Sequence, residues 1–377
     1  MKKVNRTNNK GNAALVAVLI MIIIIGISAI VLILVGRNSI EDNNENPQVK
    51  NTTANVATTQ QTQAVPEEPK ELDLYPKQAS EFKETNIKDF TADASILVDF
   101  DDDTVLAGKN MDKRIFPASL TKVMTILVAA ENLKSLDATY TFKDSDFTKL
   151  RDQNASVAGF KPGEKVTAKD LLYGAILPSG ADACVGLENL VAGSEAAFVK
   201  MMNDRAKELG LKNTNFVNSS GLHHKDHYSS VNDIAVIMKV ANHNMTCRTV
   251  MSTTDYVTAK TTQNPNGIKL PCTLNGRING FYIDKNGNGT SDDSARITGG
   301  KTGFTDEAKA TIATVAKDSD TGHTYCCVLA KCKDALTSAS ETMSMYEKYL
   351  PGSKAKIADA KPAATAATTT AATTKAA

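Results

Sequence analysis

The segments with strand character lie at the two ends of one long globular stretch, and this order restricts the possible folds more than any other feature. Residues 94–100 (Ala-Ser-Ile-Leu-Val-Asp-Phe) are rich in apolar and β-branched side chains. Asp101-Asp102-Asp103 marks a turn, and residues 104–107 read as the return strand of a hairpin. Strand character returns only after residue 295, most clearly at 311–315 and 324–329, and a helical pattern at 336–350 follows. Between these ends, residues 171–177, 182–191, 196–209 and 231–241 carry apolar residues at helical spacing. Another helix is expected to open at Pro117-Ala118-Ser119 and continue through Met124, Ile126, Leu127 and Val128. The prediction is an α/β domain whose antiparallel sheet is built from both ends of the domain, with a helical subdomain inserted.

Both ends of the 377-residue chain depart from globular composition. Residues 13–35 are apolar apart from Gly26 and Ser28. As a helix they would reach about 34 Å, enough for a hydrocarbon core of about 30 Å. Lys2, Lys3, Arg6 and Lys10 precede the run without an acid, and Glu41, Asp42 and Glu45 follow it soon after Arg37. The positive-inside rule makes residues 1–12 cytoplasmic and 13–35 a single transmembrane anchor in the cell membrane, with the rest extracytoplasmic. A cleaved signal peptide competes with this reading, but its apolar region is normally about 7–15 residues, and Val35-Gly36-Arg37 is a poor cleavage site. Residues 36–85, rich in Asn, Thr, Gln, Pro and Glu, are expected to form a flexible spacer. Residues 351–377 are mostly Ala, Thr and Lys with no apolar stripe, and are expected to be a disordered tail. One domain remains, at 86–350.

Totals exclude several functions. Lys+Arg 43 against Asp+Glu 42 leaves a net charge of +1, with no field to attract nucleic acid. Aromatics at 5% without Trp argue against a base-stacking platform. Six cysteines are too few for a disulfide-built miniprotein. Outside the membrane they could pair or remain buried thiols, and Cys326 and Cys327 should point to opposite faces of a strand.

The chemistry centres on Ser119-Leu120-Thr121-Lys122, a hydroxyl and an amine three residues apart and so on one helix face. A serine attacks only when a neighbour takes its proton, and a lysine can do so only as the neutral amine. Alone the tetrapeptide is also what an N-capping serine looks like. Lys301-Thr302-Gly303 follows Gly299-Gly300, where small residues admit close approach of another backbone. A Lys-Thr pair there can bind a carboxylate, and Lys301 is the second cation that would hold Lys122 neutral. Ser179, in Leu177-Pro178-Ser179-Gly180-Ala181-Asp182, lies in a loop leading into a helix and could also be a cap.

These elements stand in the order Ser119, Ser179, Lys301. With Phe116-Pro117, Leu171-Leu172-Tyr173-Gly174, Gly221-Leu222, His227-Tyr228-Ser229-Ser230 and Phe304-Thr305 around them, they resemble the low-molecular-mass penicillin-binding proteins, the serine-type D-alanyl-D-alanine carboxypeptidases. The resemblance runs from Ala94 to Leu350 and implies the serine DD-peptidase and β-lactamase fold. It further implies Ser119 as nucleophile, Lys122 as its base and Ser179 as proton shuttle. Lys301, Thr302 and Gly303 would bind the substrate's terminal carboxylate, and the backbone N–H groups of Ser119 and Phe304 would form the oxyanion hole. The implied substrate is a peptidoglycan stem peptide ending in D-Ala-D-Ala, with β-lactams as covalent inhibitors and no cofactor or metal. Related readings are a β-lactamase, an endopeptidase cutting cross-links, or a catalytically weak wall-binding homologue.

Two departures bear on this. The family's second motif is usually Ser-x-Asn, whereas Ala181 holds the third position, and Asp182 points elsewhere on its helix. The family often adds a β-rich domain and an amphipathic membrane helix at the C-terminus; here the N-terminal anchor is expected to take over attachment. Asp284-Lys285-Asn286-Gly287-Asn288-Gly289 resembles the start of a calcium loop, but Ala295 stands where a bidentate Glu is needed, and a turn is expected. His223, His224 and His227 with Asp226 lack companion ligands at zinc spacing and are expected to lie in a loop, with His227 structural.

Overall fold

The computed structural model describes residues 74–86, 89–278, 282–288 and 295–354. The expected anchor at 13–35, most of the spacer, and the tail beyond 354 lie outside these residues. Among the described residues no helix is long and apolar enough to cross a membrane.

Ten strands are described: β1 (Lys77–Glu84), β2 (Ala94–Asp99), β3 (Thr104–Lys109), β4 (Thr139–Thr141), β5 (Lys165–Thr167), β6 (Asp255–Val257), β7 (Lys269–Pro271), β8 (Ala295–Thr305), β9 (Lys309–Asp318) and β10 (Thr324–Cys332). Six of them form one sheet in the order β1-β3-β2-β10-β9-β8, so both ends of the domain meet at the β2–β10 pair. That pair joins residues 94–99 to 325–330, as the placing of the strand segments predicts. The sheet is mixed rather than antiparallel throughout, because β1 pairs parallel to β3.

β1 also corrects the expected spacer, since Lys77–Glu84 lies inside residues 36–85. Its sequence, Lys-Gln-Ala-Ser-Glu-Phe-Lys-Glu, buries no residue fully, and only Ala79 and Phe82 are half-covered. Without an apolar alternation it leaves no strand signal; backbone hydrogen bonds to the free edge of β3 hold it, and its charged side chains suit an edge strand.

The helices are α1 (Thr121–Asn132), α2 (Thr148–Asp152), α3 (Ala168–Ile176), α4 (Ala181–Ala192), α5 (Glu195–Glu208), α6 (Val231–His243), α7 (Met245–Ser252) and α8 (Ala335–Tyr349). Strand alternation sorts the core between the two sheet faces. Ile96, Val98, Val315, Cys326 and Val328 face α1 and the inserted helices. Leu97, Ile312, Cys327 and Leu329 face Met345 and Tyr346 of α8. Cys326 and Cys327 thus lie on opposite faces. All six cysteines are unpaired thiols, and only Cys272 is not fully buried.

α1 is buried along most of its length, from Thr121 to Ala129, and so is set rigidly between sheet and subdomain. At about 1.5–3 kcal/mol for each large apolar side chain removed from water, this packing fixes its N-terminus firmly. In the 284–288 turn, Asp284 Oδ1 accepts the N–H groups of Gly287 and Asn288; residues 289–294 lie outside the described set. Lys285 leaves this turn to pair with buried Asp318 at 2.7 Å.

Candidate active site

Ser119 sits in a single 3-10 turn, Ala118–Leu120, that runs straight into α1. Neither the turn nor the helix has a side-chain cap, so the hydroxyl is free of the capping role the tetrapeptide alone would suggest. Its partner is Lys122, whose Nζ lies 3.0 Å from Ser119 Oγ and donates to the Ser220 carbonyl at 2.5 Å. The peptide between Ala118 and Ser119 is clamped from both sides. A Cβ on Gly221 would fall 1.9 Å from the Ala118 carbonyl oxygen, and one on Gly303 would fall 3.1 Å from the Ser119 nitrogen. Ala118 itself has φ 47°, a left-handed conformation that costs a non-glycine residue about 1 kcal/mol or more.

Gly303 brings β8 to this turn, and with it Lys301, Thr302 and Phe304. Ser119, Lys122, Ala181, Ser220 and Phe304 line one cleft of about 480 Å³. Lys301 and Thr302 are buried beside it, with Lys301 Nζ donating to the Thr302 carbonyl at 2.8 Å and Thr302 Oγ1 bonded to Thr273 Oγ1 at 2.8 Å. Ser179 is not among the lining residues; it lies two positions behind Ala181, with φ 64°. It caps nothing, since the α4 N-cap is Gly180, and its buried Oγ has no hydrogen-bond partner among the described residues. A buried hydroxyl without a partner is costly, and such groups concentrate where a ligand or a moving proton completes them.

The two buried amines share one electrostatic environment. Burial pushes the Lys122 amine below its ordinary range. The cation–cation repulsion shows on Lys301, which burial, Lys122 and Arg277 together push well below the usual lysine range. Burial and the mutual repulsion of the two amines therefore both favour the neutral form of Lys122, and Lys301 occupies a site that would gain strongly from an anion.

Asp182, next to the missing amide, does point elsewhere. Its buried carboxylate accepts the N–H groups of Ala158 at 2.7 Å, Gly159 at 3.0 Å and Phe160 at 3.2 Å, fastening the 158–160 segment to α4. His227 is structural. Val217 N–H donates to its Nδ1 at 3.1 Å, so Nε2 carries the proton and donates to Thr121 Oγ1 at 2.8 Å in the first turn of α1. His223 instead closes the rim of the cleft, edge-on to Phe116 and 3.6 Å from the Glu307 carboxylate. Two supports escape a sequence reading: the Ser220 carbonyl on Lys122 and Thr273 on Thr302. Each acts through a contact across a long stretch of chain and carries no local motif.

Residues 78–329 match the D-alanyl-D-alanine carboxypeptidase family. The D-alanyl-D-alanine carboxypeptidase DacF of Bacillus subtilis is 35% identical over 231 residues, which are 60% of this chain and 54% of that protein. A D-alanyl-D-alanine carboxypeptidase of Streptomyces sp. strain K15 is 36% identical over 214 residues, 55% of this chain and 69% of that one. The chain spans about half the length of the first curated relatives it matches, 54% and 49%. Among solved structures, the Streptomyces K15 DD-transpeptidase superimposes with a TM-score of 0.57 at 29% identity, covering 68% of this chain and 97% of that one. The D-alanyl-D-alanine carboxypeptidase of Mycobacterium tuberculosis gives 0.57 at 26% identity, covering 68% and 90%. The family match covers well over half of the chain, and the chain therefore belongs to the D-alanyl-D-alanine carboxypeptidase family.

Proposed function

We propose that the protein is a serine-type D-Ala-D-Ala carboxypeptidase that removes the terminal D-Ala from peptidoglycan stem peptides and is acylated by β-lactams at the same serine. The observation that carries this is the 3.0 Å contact between Ser119 Oγ and the desolvated Lys122 amine at the floor of an open cleft.

The neutral Lys122 amine takes the Ser119 proton as Oγ attacks the carbonyl carbon of the penultimate D-Ala. The oxyanion that forms is stabilised by the N–H groups of Ser119 and Phe304, the first of them on the peptide held between Gly221 and Gly303. The substrate's terminal carboxylate lies against Lys301 and Thr302; its charge restores the protonated form of Lys301 and so offsets the burial of that amine. As the tetrahedral species collapses, the Ser179 hydroxyl relays the proton to the leaving nitrogen and D-Ala departs. Water then attacks the acyl-enzyme, Lys122 again accepting the proton, to give the shortened peptide and free Ser119. Every step uses groups of the chain itself. The apolar run at 13–35 and its basic flank support attachment to the cell membrane, with this cleft on the extracytoplasmic side.

The test is incubation of the full chain with a peptide ending in D-Ala-D-Ala. Free D-Ala is expected from the wild type and none from Ser119→Ala; a wild type that releases no D-Ala would refute the proposal.

A further inference from the structure

Glu188 lies on α4 seven residues beyond Ala181, two turns along the same helix face. It is 3% exposed, a burial that glutamate rarely tolerates without a partner. The partner is a hydroxyl rather than a cation: Ser219 Oγ donates to Glu188 Oε1. From there a short line of bonds reaches the candidate nucleophile. The Ser219 carbonyl accepts Thr125 Oγ1 of α1 at 2.6 Å, and the next carbonyl, that of Ser220, accepts Lys122 Nζ at 2.5 Å. The Asn218 side chain closes the same turn on itself by accepting the Gly221 N–H at 2.7 Å. Asn218 thus sets the shape of the 218–221 turn, and Glu188 ties that turn to α4.

The surroundings of Glu188 are open to solvent on one side. A second cavity, of about 310 Å³, is lined by Glu188, Ser219 and Lys149, and shares Gln153, Ala181 and Ser220 with the Ser119 cleft. The charged and titratable groups facing the carboxyl are few. Lys149 of α2 is committed to Glu195 at 2.8 Å, Asp146 accepts Tyr140 at 2.8 Å, Cys184 lies one turn earlier on α4, and His223 and His224 line the far side of the cavity. Burial outweighs all of them and pushes the Glu188 carboxyl up to about 7.

We propose that Glu188 is a positioning residue for acylation: through Ser219 it fixes the turn whose Ser220 carbonyl holds the Lys122 amine against Ser119. The carboxylate accepts the Ser219 hydroxyl as a charge-assisted hydrogen bond, and the protonated acid loses that strength. The hold on Lys122 therefore weakens as pH falls through neutrality, separately from the titration of Lys122 itself. The inference rests on the proposed acylation of Ser119.

The experiment measures covalent labelling of the full chain by a fluorescent penicillin from pH 5.5 to 9, separating the acylation rate constant from the pre-covalent affinity. Wild type, Glu188→Gln, Glu188→Ala and Glu188→Asp are compared, with thermal melts to confirm folding. Glu188→Ala should acylate about 10–100-fold more slowly at unchanged pre-covalent affinity, the loss expected when a reacting group is displaced by a fraction of an ångström to an ångström. Glu188→Gln, which keeps the size and an acceptor oxygen, should fold normally and lose the inflection near pH 7. Glu188→Asp should keep the inflection. A folded Glu188→Gln with the wild-type rate and the wild-type pH profile would overturn the inference while leaving the proposed function intact. A wild type that takes no label would overturn both.

Discussion

Gly221→Ala is the sharpest perturbation available, because it adds one methyl group against the peptide that precedes the candidate nucleophile. The new Cβ would lie 1.9 Å from the Ala118 carbonyl oxygen, whereas Cβ contacts under 3.0 Å are essentially never seen. The two must part by about 1.1 Å, and neither side is a flexible side chain. Ala118 O and Ser119 N belong to one peptide unit, so pushing the oxygen away turns the N–H that would receive the oxyanion. A misplacement of about 1 Å costs on the order of 100-fold in rate, or about 2.7 kcal/mol. Gly221 also has φ +79°, which adds about 1–2 kcal/mol for any residue with a side chain. In a domain this large each kcal/mol lowers Tm by about 2–4 °C, so the variant should still be folded at 25 °C. The assay is the second-order rate of labelling by a fluorescent penicillin, beside a thermal melt. We expect a rate at least about 100-fold below wild type with a Tm only several degrees lower. A folded Gly221→Ala that labels within about threefold of wild type would show that the Ala118–Ser119 peptide is not held as described.

Two further predictions follow from the neighbouring groups. His227 is held neutral, burial pushing it from 6.5 down to about 4. Its unfolded form takes up a proton first as pH falls, so the stability it contributes is complete above 6.5 and is lost by about 4, a change of about 3 kcal/mol. Urea unfolding between pH 7 and pH 4 should show a shallower loss in His227→Gln than in wild type, and parallel losses would count against the neutral-histidine assignment. Ala181→Asn restores the amide usual in this family at a residue lining the cleft. One added hydrogen bond of about 0.5–1.5 kcal/mol should raise D-Ala release about two- to tenfold, and unchanged turnover would mean that the amide has no role in this chain.

Much of this site is legible in the sequence because its chemistry is local. Ser119 and Lys122 are three residues apart on one helix, so their contact follows from helical geometry, and the β8 strand carrying Lys301 follows from the glycines before it and the apolar strand after it. The sheet that joins both ends of the domain follows equally from the placing of the strand-like segments. β1 was hidden because its charged side chains suit an edge strand held by backbone pairing, with Phe82 alone of its residues packed against the main core. The left-handed φ of Ala118 and Ser179 has no signature in either residue type, since only the surrounding packing enforces it. The desolvation of Lys122 is hidden for a related reason: spacing can suggest the second cation, but only the three-dimensional packing shows how completely an amine is buried. Glu188 looks like an ordinary helical glutamate until the 218–221 turn, some 30 residues later, is folded against it.

The most direct test treats the full chain with a β-lactam, digests it and locates the adduct by mass spectrometry. A single adduct on the peptide carrying Ser119, absent from Ser119→Ala and slowed in Lys122→Ala, is the expected result. An adduct on any other residue, or none on a folded chain, would contradict the assignment of Ser119 and Lys122 as nucleophile and base.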